Sequence, residues 1–595
     1  MKKRILLISL LVFISHNILA QKEKPNVIVI MTDDQGYGDI AAHGNPIIKT
    51  PNLDRLHAES ARFTDFHVNS FCAPTRAALM TGRLSDRTHV RTTINLRNHL
   101  HIDETTMAEY FKASGYQTAL FGKWHLGGNY PYRPIDKGFD QWVGHGDGGV
   151  GTSSDYWGND RMNDHYQRNG EWEPFKGFSS DIFFKETMNF VKQNKDKPFF
   201  VYLATNVPHD PWNVLKEWRK IYDDEDRLNE DEKDFYATIT HFDENLGQLR
   251  KFLKQQGLDE NTILLFMTDN GTAKGERIYN AEMKGKKGSQ YEGGHRVPLF
   301  VHWPKGKLNK GRDVNGFALH VDILPTLIEL CDLEKPKTAN LPFDGESLSG
   351  FLYDKPVNEN NKTLILHSQN VREVPQKGLN SLVATSQWRW IKGKELYDIK
   401  KDPSQENNVA NLYPEVVKAL TKKYNEYWDE VKPGYVPYPR VVIGHKDDRE
   451  VWLTPDAMVH DHARQKTAMQ SYVLQKKISA GFWPIEVEKK GTYTFEVTRW
   501  PKELNHPMIE RLPAVTSGDI LDKGKPVMMP EGEAIPIVKV RLRAGDTEKE
   551  VEIKKTDTKA VFTLPLEKGP NLVRAWFISE DNKEMGATYI YISRD

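Results

Sequence analysis

Two pairs of oxygen-bearing side chains directly follow strongly apolar runs of the sequence. Asp33 and Asp34 follow the first run, and Asp269 and Asn270 follow a later one. Carboxylate and amide oxygens are the ligands that hard cations such as Ca²⁺ and Mg²⁺ prefer, whereas zinc prefers nitrogen and sulfur. Each pair taken alone is equally consistent with a helix cap or a turn. Because both pairs follow predicted buried strands, a metal site is the favoured interpretation.

A cysteine near a predicted helix start is the second candidate for chemistry. Cys72 is followed by Pro74 and then by Arg76 at the start of the helical pattern. A helix N-terminus and a neighbouring cation both stabilise anions, so a thiolate or an oxyanion is favoured at this position. An ordinary buried cysteine in a loop is the alternative, and these residues alone do not decide between the two.

The apolar runs predict the strands that position these groups. Residues 26–31, 199–203 and 262–267 are continuous apolar runs, which are typical of strands buried on both faces. Helical patterns lie between them, for example over residues 237–256. This alternation predicts an α/β fold, with a mixed, mostly parallel sheet flanked by helices. Ligands of such sheets bind beyond the carboxyl ends of the strands, so the polar residues there, including His209, should converge.

The chain of 595 residues is too long for one core, so several domains are predicted. We expect an α/β catalytic domain over residues 21–350 and a small α+β subdomain over residues 351–440. A linker and helical segment is expected over residues 441–480. Over residues 481–595 apolar residues alternate with period two between turn residues, which predicts an all-β sandwich.

The N-terminus has the pattern of an export signal. Basic residues 2–4 precede an apolar run over residues 5–14, and Ala20 ends the segment, which predicts a cleaved signal peptide over residues 1–20. No later apolar run approaches the length of about 20 residues that a membrane span needs. We therefore expect a secreted or periplasmic protein without a membrane span. The balance of 82 basic and 82 acidic side chains argues against a nucleic acid partner.

Four motifs, in order along the chain, resemble those of the type I sulfatases, and in particular of secreted bacterial polysaccharide sulfatases. They are DDQGYGD over residues 33–39, CAPTR over residues 72–76 with LMTG behind it, GYQTALFGKWHLG over residues 115–127, and KGSQYEGG over residues 287–294. The resemblance covers residues 24–410. It implies an alkaline-phosphatase-like fold and a sulfuric ester hydrolase.

The second of these motifs resembles the maturation motif of that family, in which the cysteine is oxidised after translation to formylglycine (3-oxoalanine). The resemblance therefore implies a formylglycine-generating or sulfatase-maturating enzyme as a partner. The hydrated aldehyde has two hydroxyls, of which one attacks sulfur and the other later drives the release of sulfate. The resemblance also implies one Ca²⁺ per chain, held by Asp33, Asp34, Asp269 and Asn270 together with Cys72 in its converted form.

The resemblance also assigns roles to further residues, of which His209 lies outside the four motifs. Arg76 positions the formylglycine hydroxyls, and Lys123 and Lys287 bind sulfate oxygens. His125 is the implied base that opens the covalent intermediate, and His209 is the acid beside the leaving oxygen. Of the adjacent Lys286 and Lys287, the motif selects Lys287, because Gly288 follows it as in the family pattern. Lys123 and His125 are two residues apart, so on a strand they would share one face.

A sulfated carbohydrate is the implied substrate, as a polysaccharide or an oligosaccharide. Algal ulvan and carrageenan are favoured, and glycosaminoglycans stay open. The basic stretch from Arg83 to His101 is either a positive rim for a polyanion or a solvated loop. Aromatic residues between positions 130 and 157 either offer faces for sugar stacking or pack inside the protein. Two alternatives stay open, namely a phosphoester or phosphonate monoester hydrolase of the same superfamily and a non-catalytic protein that binds sulfated glycans.

Overall fold

The computed structural model describes residues 23–358, 362–367, 374–435, 438–461, 469–475 and 479–595. The predicted signal peptide over residues 1–20 lies outside these ranges. Within them, every helix is too short or too polar to cross a lipid bilayer.

A mixed sheet of ten strands forms the centre of the N-terminal part, which we term the α/β region. Its strands are β1 (Asn26–Thr32), β2 (Ala61–His67), β3 (Gln117–Lys123), β4 (Gln141–His145), β5 (His165–Arg168), β6 (Glu171–Pro174), β7 (Phe199–Ala204), β9 (Thr262–Thr268), β10 (Leu299–His302) and β11 (Arg312–Leu319), while β8 (Val214–Leu215) lies outside it. The strand order is β11-β2-β10-β9-β1-β7-β3-β4-β5-β6. The strands from β9 to β4 in this order are parallel, whereas β10, β5 and β6 pair antiparallel to their neighbours. The predicted mostly parallel sheet is confirmed.

Helices cover both faces of this sheet because its strands are apolar on both sides. The helices are α1 (Pro51–Glu59), α2 (Cys72–Thr81), α3 (Met107–Ala113), α4 (Ser179–Asn194), α5 (Lys216–Arg219), α6 (Glu230–Gln255), α7 (Glu292–His295), α8 (Ile323–Cys331), α9 (Ser349–Leu352), α10 (Pro414–Val431) and α11 (Gln470–Leu474). From β1, Val27, Val29 and Met31 pack on one face with α2, α3 and α8. Ile28 and Ile30 pack on the other face with α1, α4 and α6.

The predicted central strands match β1, β7 and β9, but one predicted helix begins earlier than expected. The helix expected from residue 237 is α6, which begins at Glu230. The Asn229 side chain accepts a hydrogen bond from the Glu232 backbone N, and the Glu232 carboxylate accepts one from the Asn229 backbone N. This reciprocal cap starts the helix within a charged segment that the apolar pattern does not reveal.

A four-stranded antiparallel sheet and α10 form a small α+β unit after the α/β region. The strands are β12 (Leu364–His367), β13 (Ser381–Ala384), β14 (Trp388–Ile391) and β15 (Glu395–Asp398). The apolar side of α10 packs on this sheet. Arg389 of β14 connects the unit to the α/β region, because its Nε donates to Oε1 of Glu292 in α7 at 2.6 Å and both side chains are fully buried.

Replacing Arg389 with alanine is expected to destabilise the protein by about 3–5 kcal/mol, because the buried Glu292 carboxylate would lose its partner. Thermal unfolding measures the effect. Arg227→Ala is the control, since it removes an exposed ion pair with Glu225 and should leave the unfolding temperature unchanged. Equal shifts in the two variants would contradict a structural role for the buried pair.

Two sheets packed face to face form the C-terminal β-sandwich, which the sequence predicts. The remaining strands are β16 (Val441–Ile443), β17 (Glu450–Leu453), β18 (Val459–His460), β19 (Gly481–Val487), β20 (Gly491–Thr498), β21 (Val515–Asp522), β22 (Lys525–Met529), β23 (Ile537–Ala544), β24 (Thr547–Glu552), β25 (Ala560–Leu566), β26 (Gly569–Ser579), β27 (Glu584–Gly586) and β28 (Tyr589–Arg594). One sheet has the order β16-β19-β26-β23-β24 and the other β17-β28-β20-β25. Apolar side chains from both sheets form one core.

The segment over residues 441–480, expected as a linker or helical segment, contains the short helix α11 and also three strands of the described structure. β16 pairs with β19 and β17 pairs with β28, so both strands belong to the sandwich, and β18 pairs with β19. These strands have between two and four residues. Segments of this length are too short for a period-two pattern to be recognised in the sequence.

Candidate functional site

Four neighbouring parallel strands end at the same edge of the central sheet, in the order β9, β1, β7 and β3. Asp33 follows β1, Asn206 follows β7, Asp269 follows β9, and Lys123 is the last residue of β3. The structure therefore brings together the polar residues that the sequence places at the strand ends.

Asp33, Asp34, Asp269 and Asn270 form a compact group of oxygen atoms. The Asp34 backbone N donates to Asp269 Oδ1 at 3.0 Å, and Asn270 Nδ2 donates to Asp34 Oδ1 at 2.9 Å. Ligand atoms of Asp33, Cys72 and Asp269 lie within 4.8 Å of one another. In the described part of the chain, Asp33 Oδ1 and Asn270 Oδ1 are buried and accept no hydrogen bond. A hard cation would satisfy such oxygens, so the donor set fits Ca²⁺.

Burial and neighbouring charges act in opposite directions on these carboxylates. Burial alone would raise the pKa of Asp33, but Lys123, His209 and Arg76 hold it well below its usual range. At Asp269, burial and the neighbouring Asp33 carboxylate both raise the pKa. A cation bound between these two carboxylates would relieve their mutual repulsion, which further supports the fit.

Helix α2 presents Cys72 and Arg76 to this group of oxygen atoms. Cys72 is the first residue of α2, and Arg76 lies one turn later on the same side of the helix. Arg76 Nη2 donates to Asp269 Oδ2 at 2.7 Å, and Nη1 donates to the Lys123 backbone O at 2.9 Å. Burial raises the pKa of the Cys72 thiol to about 11, so the unmodified thiol is neutral near pH 7.

Two lysine side chains point into the same group of oxygen atoms. Lys123 Nζ lies 2.6 Å from Asp33 Oδ2, and Lys287 Nζ lies 2.6 Å from Asp34 Oδ2. Burial lowers the pKa of each ammonium, but the adjacent carboxylates hold both pKa values above the usual one. Lys286 points elsewhere and forms an ion pair with a partly exposed glutamate. The lysine that the motif selects is thus the one that the structure places at the site.

His209 reaches the site from the loop that follows β7. Its Nε2 lies 3.7 Å from Asp34 Oδ2, and its Nδ1 donates to the Asp210 backbone O at 2.6 Å. The side chain is partly exposed, with 26% of its surface accessible, whereas Asp34 is buried. His209 therefore lies between the buried carboxylates and the solvent.

His125 does not share a strand face with Lys123, and that prediction is wrong. The strand β3 ends at Lys123, and His125 follows in a loop with a left-handed backbone, at a φ of 65°. His125 Nε2 donates to the Thr93 backbone O at 2.9 Å, whereas its Nδ1 is buried and has no hydrogen-bond partner among the described residues. Burial and the Lys123 charge lower the pKa of His125 well below its usual value, so the ring is neutral.

Arg161 is a residue of this site that the sequence does not reveal. Its buried guanidinium donates to the His209 backbone O at 2.6 Å, to the Pro211 backbone O at 2.9 Å and to Asn206 Oδ1 at 2.8 Å. These bonds tie the loop that carries His209 to the end of β7. Beyond this loop, β8 pairs with β21, which reaches over from the C-terminal part of the chain. Arg161 lies in an irregular segment, so neither a motif nor a periodicity marks it.

The basic stretch from Arg83 to His101 does not form an exposed positive rim. Arg91 and Arg97 are buried, and Arg83 forms an ion pair with the buried Glu104. Arg91 also donates to a backbone carbonyl in the turn after α10, and its guanidinium lies over an aromatic ring there. The stretch therefore packs the α/β region against the α+β unit. For these arginines both predicted alternatives, a positive rim and a solvated loop, are wrong.

The fold and the site together define a class of protein, the hydrolases of the alkaline-phosphatase-like fold. The chain belongs to the sulfatase family. A sequence profile described as "Sulfatase" matches residues 25–333, and one described as "N-sulphoglucosamine sulphohydrolase, C-terminal" matches residues 286–430. The protein is therefore a sulfuric ester hydrolase.

Relatives and solved structures support this membership. An ulvan-active sulfatase of Formosa agariphila is 30% identical over 445 residues, which are 69% of this chain and 83% of the relative. The N-acetylgalactosamine-6-sulfatase of Homo sapiens is 30% identical over 372 residues, which are 56% of this chain and 68% of the relative. The crystal structure of Ps i-CgsB in complex with k-i-k-neocarrahexaose is similar at a TM-score of 0.61 and 27% identity, over 70% of this chain and 95% of that one.

Proposed function

We propose that this sulfatase removes sulfate groups from a sulfated carbohydrate, with residue 72 as its nucleophile after conversion to formylglycine. One observation carries the proposal. Cys72 begins α2 with its ligand atom within 4.8 Å of those of Asp33 and Asp269, and Lys123 lies 2.6 Å from the same Asp33 carboxylate. A buried site that combines a nucleophile position, carboxylates and several cations fits an anionic ester group.

Two groups would complete this site. Conversion of Cys72 by a formylglycine-generating or sulfatase-maturating enzyme would yield an aldehyde. Addition of water to this aldehyde would place two hydroxyls on one carbon, of which one would attack sulfur and the other would drive the release of sulfate. Asp33, Asp34, Asp269 and Asn270 would hold one Ca²⁺, which supplies positive charge where negative charge develops. Arg76 is fixed by Asp269 and lies one turn from residue 72, so it can orient the converted side chain.

The remaining residues bind sulfate and move protons. Lys123 and Lys287 would hold sulfate oxygens through charge-assisted hydrogen bonds. His125 is neutral and donates from Nε2, so the lone pair of its buried Nδ1 is available for a proton. Burial and Lys123 lower the pKa of the ring, so the proposed role as base needs the negative charge of bound sulfate to raise that pKa. His209 lies at the solvent side of the carboxylates, where an acid would meet the leaving oxygen of the sugar.

The names of the relatives support a carbohydrate substrate. The relatives above are named for ulvan and for N-acetylgalactosamine-6-sulfate, and the solved structure holds a neocarrahexaose. We favour an algal polysaccharide such as ulvan or carrageenan, because the ulvan-active relative and Ps i-CgsB match 69% and 70% of this chain. The predicted signal peptide supports a secreted or periplasmic enzyme, and we retain the predicted catalytic domain over residues 21–350.

Release of free sulfate, measured by ion chromatography, tests this proposal. Purified, matured enzyme is incubated with ulvan, ι-carrageenan and chondroitin sulfate. In parallel it is incubated with an aryl sulfate and with the phosphate and phosphonate monoesters of the same phenol. Sulfate release from at least one polymer is expected. Faster turnover of the phosphorus esters would favour a phosphoester or phosphonate monoester hydrolase. Binding of a polymer without any sulfate release would favour a non-catalytic glycan-binding protein.

Two adjacent lysines provide a matched test of the sulfate-binding role. Lys287→Ala is expected to lower kcat/KM for sulfate release by at least about 100-fold, because a buried cation beside the reacting group is lost. Lys286→Ala should change kcat/KM by less than about twofold, since a surface ion pair contributes little. Steady-state kinetics on one sulfated substrate compares them. Similar losses in both variants would contradict the assignment of Lys287.

A further inference from the structure

A large groove lies between the α/β region and the β-sandwich, away from the cluster around Cys72. Its volume is about 1060 Å³. One wall comes from the β5–β6 hairpin and the loop before β5, and the other comes from the outer face of the sandwich sheet β17-β28-β20-β25. We term it the sandwich groove. None of the residues assigned above to sulfate, calcium or proton transfer lines it.

The sandwich wall carries aromatic rings where an exposed sheet face usually carries polar side chains. Along β17, Val451 and Leu453 point into the sandwich core, so Trp452 between them points outward. Along β28, Ile590 points into the core and Tyr591 points outward. Trp452 and Tyr591 stack with their ring centroids 6.3 Å apart. Tyr591 is itself buried in a small apolar cluster, and Trp452 lies at the margin of that cluster and stays partly exposed.

The opposite wall continues the same row of rings. Trp172 of β6 lies 6.3 Å from Trp452, and Tyr156 lies 5.5 Å from Trp172, both in edge-on geometry. Tyr156, Trp172 and Trp452 line the groove and remain partly exposed. His165 stacks on one face of Tyr156 with the ring centroids 3.9 Å apart, so a ligand would use the other face. By contrast, Trp142, another of the aromatic residues between positions 130 and 157, is fully buried and cannot stack on a sugar.

The charged side chains of the groove are mixed in sign, which distinguishes it from a sulfate-binding centre. Lys559 pairs with Glu496 at 2.5 Å, and Lys502 pairs with Glu450. The remaining charged lining residues also include both signs. Such a surface donates and accepts hydrogen bonds without a strong field, so it matches sugar hydroxyls better than sulfate groups.

The groove lies along the loop that begins at the catalytic edge of the sheet. His145 ends β4 and is paired in register with Lys123 of β3. His145 Nδ1 lies 3.2 Å from Asp155 Oδ1, and the next residue is Tyr156 of the groove wall. One short segment thus connects the catalytic edge with the row of rings. A chain held in the groove would stay bound to the same molecule that carries the catalytic centre.

We propose that the sandwich groove is a non-catalytic site for the sugar backbone of a polysaccharide, which stacks on Tyr156, Trp172 and Trp452. The C–H faces of pyranose rings pack on aromatic faces, and the paired lysines and glutamates bind the hydroxyls. The choice of a polysaccharide rests on the proposed function. The site recognises the sugars and not their sulfate groups, so it should bind the polymer before and after desulfation.

Affinity gel electrophoresis tests this site. The native enzyme is run in gels that contain ulvan, ι-carrageenan or chondroitin sulfate, each in its native and its chemically desulfated form. We expect at least one polymer to retard the enzyme in both forms. Trp172→Ala and Tyr156→Ala should each weaken this binding by about tenfold, while Trp172→Tyr retains most of it. Trp388→Ala, at a partly exposed tryptophan of β14, is the matched control and should bind as the wild type does.

Two further measurements separate this proposal from the proposed function. Raising the ionic strength from about 0.1 to about 1 M shortens the Debye length from about 10 to about 3 Å and so screens charge interactions. The retardation should stay nearly unchanged, because salt does not screen the stacking of sugars on aromatic rings. Sulfate release from a sulfated disaccharide should be the same in Trp172→Ala as in the wild type. The proposal would be overturned if no polymer retards the wild type, or if only the sulfated polymers do. It would also be overturned if Trp172→Ala and Tyr156→Ala are retarded as strongly as the wild type. Absence of sulfate release would contradict only the proposed function.

Discussion

Replacing Cys72 with alanine is expected to lower the rate of sulfate release by at least about 10⁴-fold, because the nucleophile is removed while the rest of the site stays in place. Cys72 is buried at the first position of α2, with the group of oxygen atoms on one side and Arg76 one turn away. An alanine side chain is smaller and fits the same space, so the helix start should keep its geometry. The measurement is free sulfate released per enzyme from a single sulfated oligosaccharide.

The second cysteine of the chain provides the control for this prediction. Cys331 lies in α8 and is also 2% exposed, but it packs in the apolar core of the α/β region. Cys331→Ala removes a buried thiol without touching the site, so kcat should stay within about twofold of the wild type even if a small cavity lowers the stability. A Cys72→Ala enzyme with more than about one tenth of the wild-type rate would contradict residue 72 as the nucleophile.

Removal of calcium is expected to have the second largest effect on the rate of sulfate release. An enzyme treated with a calcium chelator should lose at least about 10³-fold in sulfate release and regain it when CaCl₂ is added. The ion should also stabilise the fold. At a calcium concentration of 100 times Kd the gain is about 2.7 kcal/mol, so the midpoint of thermal unfolding should rise. This second measurement is independent of catalysis, because it needs neither a converted Cys72 nor a substrate.

Variants of the carboxylates separate a specific ion site from general charge effects. Asp269→Asn removes one negative charge from the buried group, so both the calcium-dependent rise in unfolding temperature and the activity should disappear. Asp313→Asn removes an exposed carboxylate that pairs with Arg62, and it should leave both responses unchanged. Calcium that stabilises Asp269→Asn as much as the wild type would contradict the assigned site.

The parts of the fold that the sequence predicts are those that local patterns specify. The continuous apolar runs identify β1, β7 and β9 because a strand covered by helices on both faces needs apolar residues at every position. The ends of these strands then locate Asp33 and Asp269, since the polar residues begin where the burial of the sheet ends. Lys287 follows from its motif, and the structure places its ammonium at Asp34.

The parts that the sequence does not predict depend on tertiary contacts. Arg161 acts through three hydrogen bonds to residues that are distant in sequence, and nothing in its own neighbourhood indicates them. His125 leaves the strand because β3 ends two residues earlier, which spacing alone does not reveal. Arg91 looks like a surface charge in the sequence, but it is buried against the turn after α10. The sandwich groove likewise arises only where surfaces from distant parts of the chain meet.

The chemical state of residue 72 in the working enzyme tests the central claim most directly. Enzyme exported from its native host is separated into active and inactive fractions, and the peptide that contains residue 72 is examined by mass spectrometry, with a hydrazine reagent to label aldehydes. The account predicts that the active fraction carries the aldehyde and reacts with the reagent. An active fraction in which residue 72 is an unmodified thiol would contradict it.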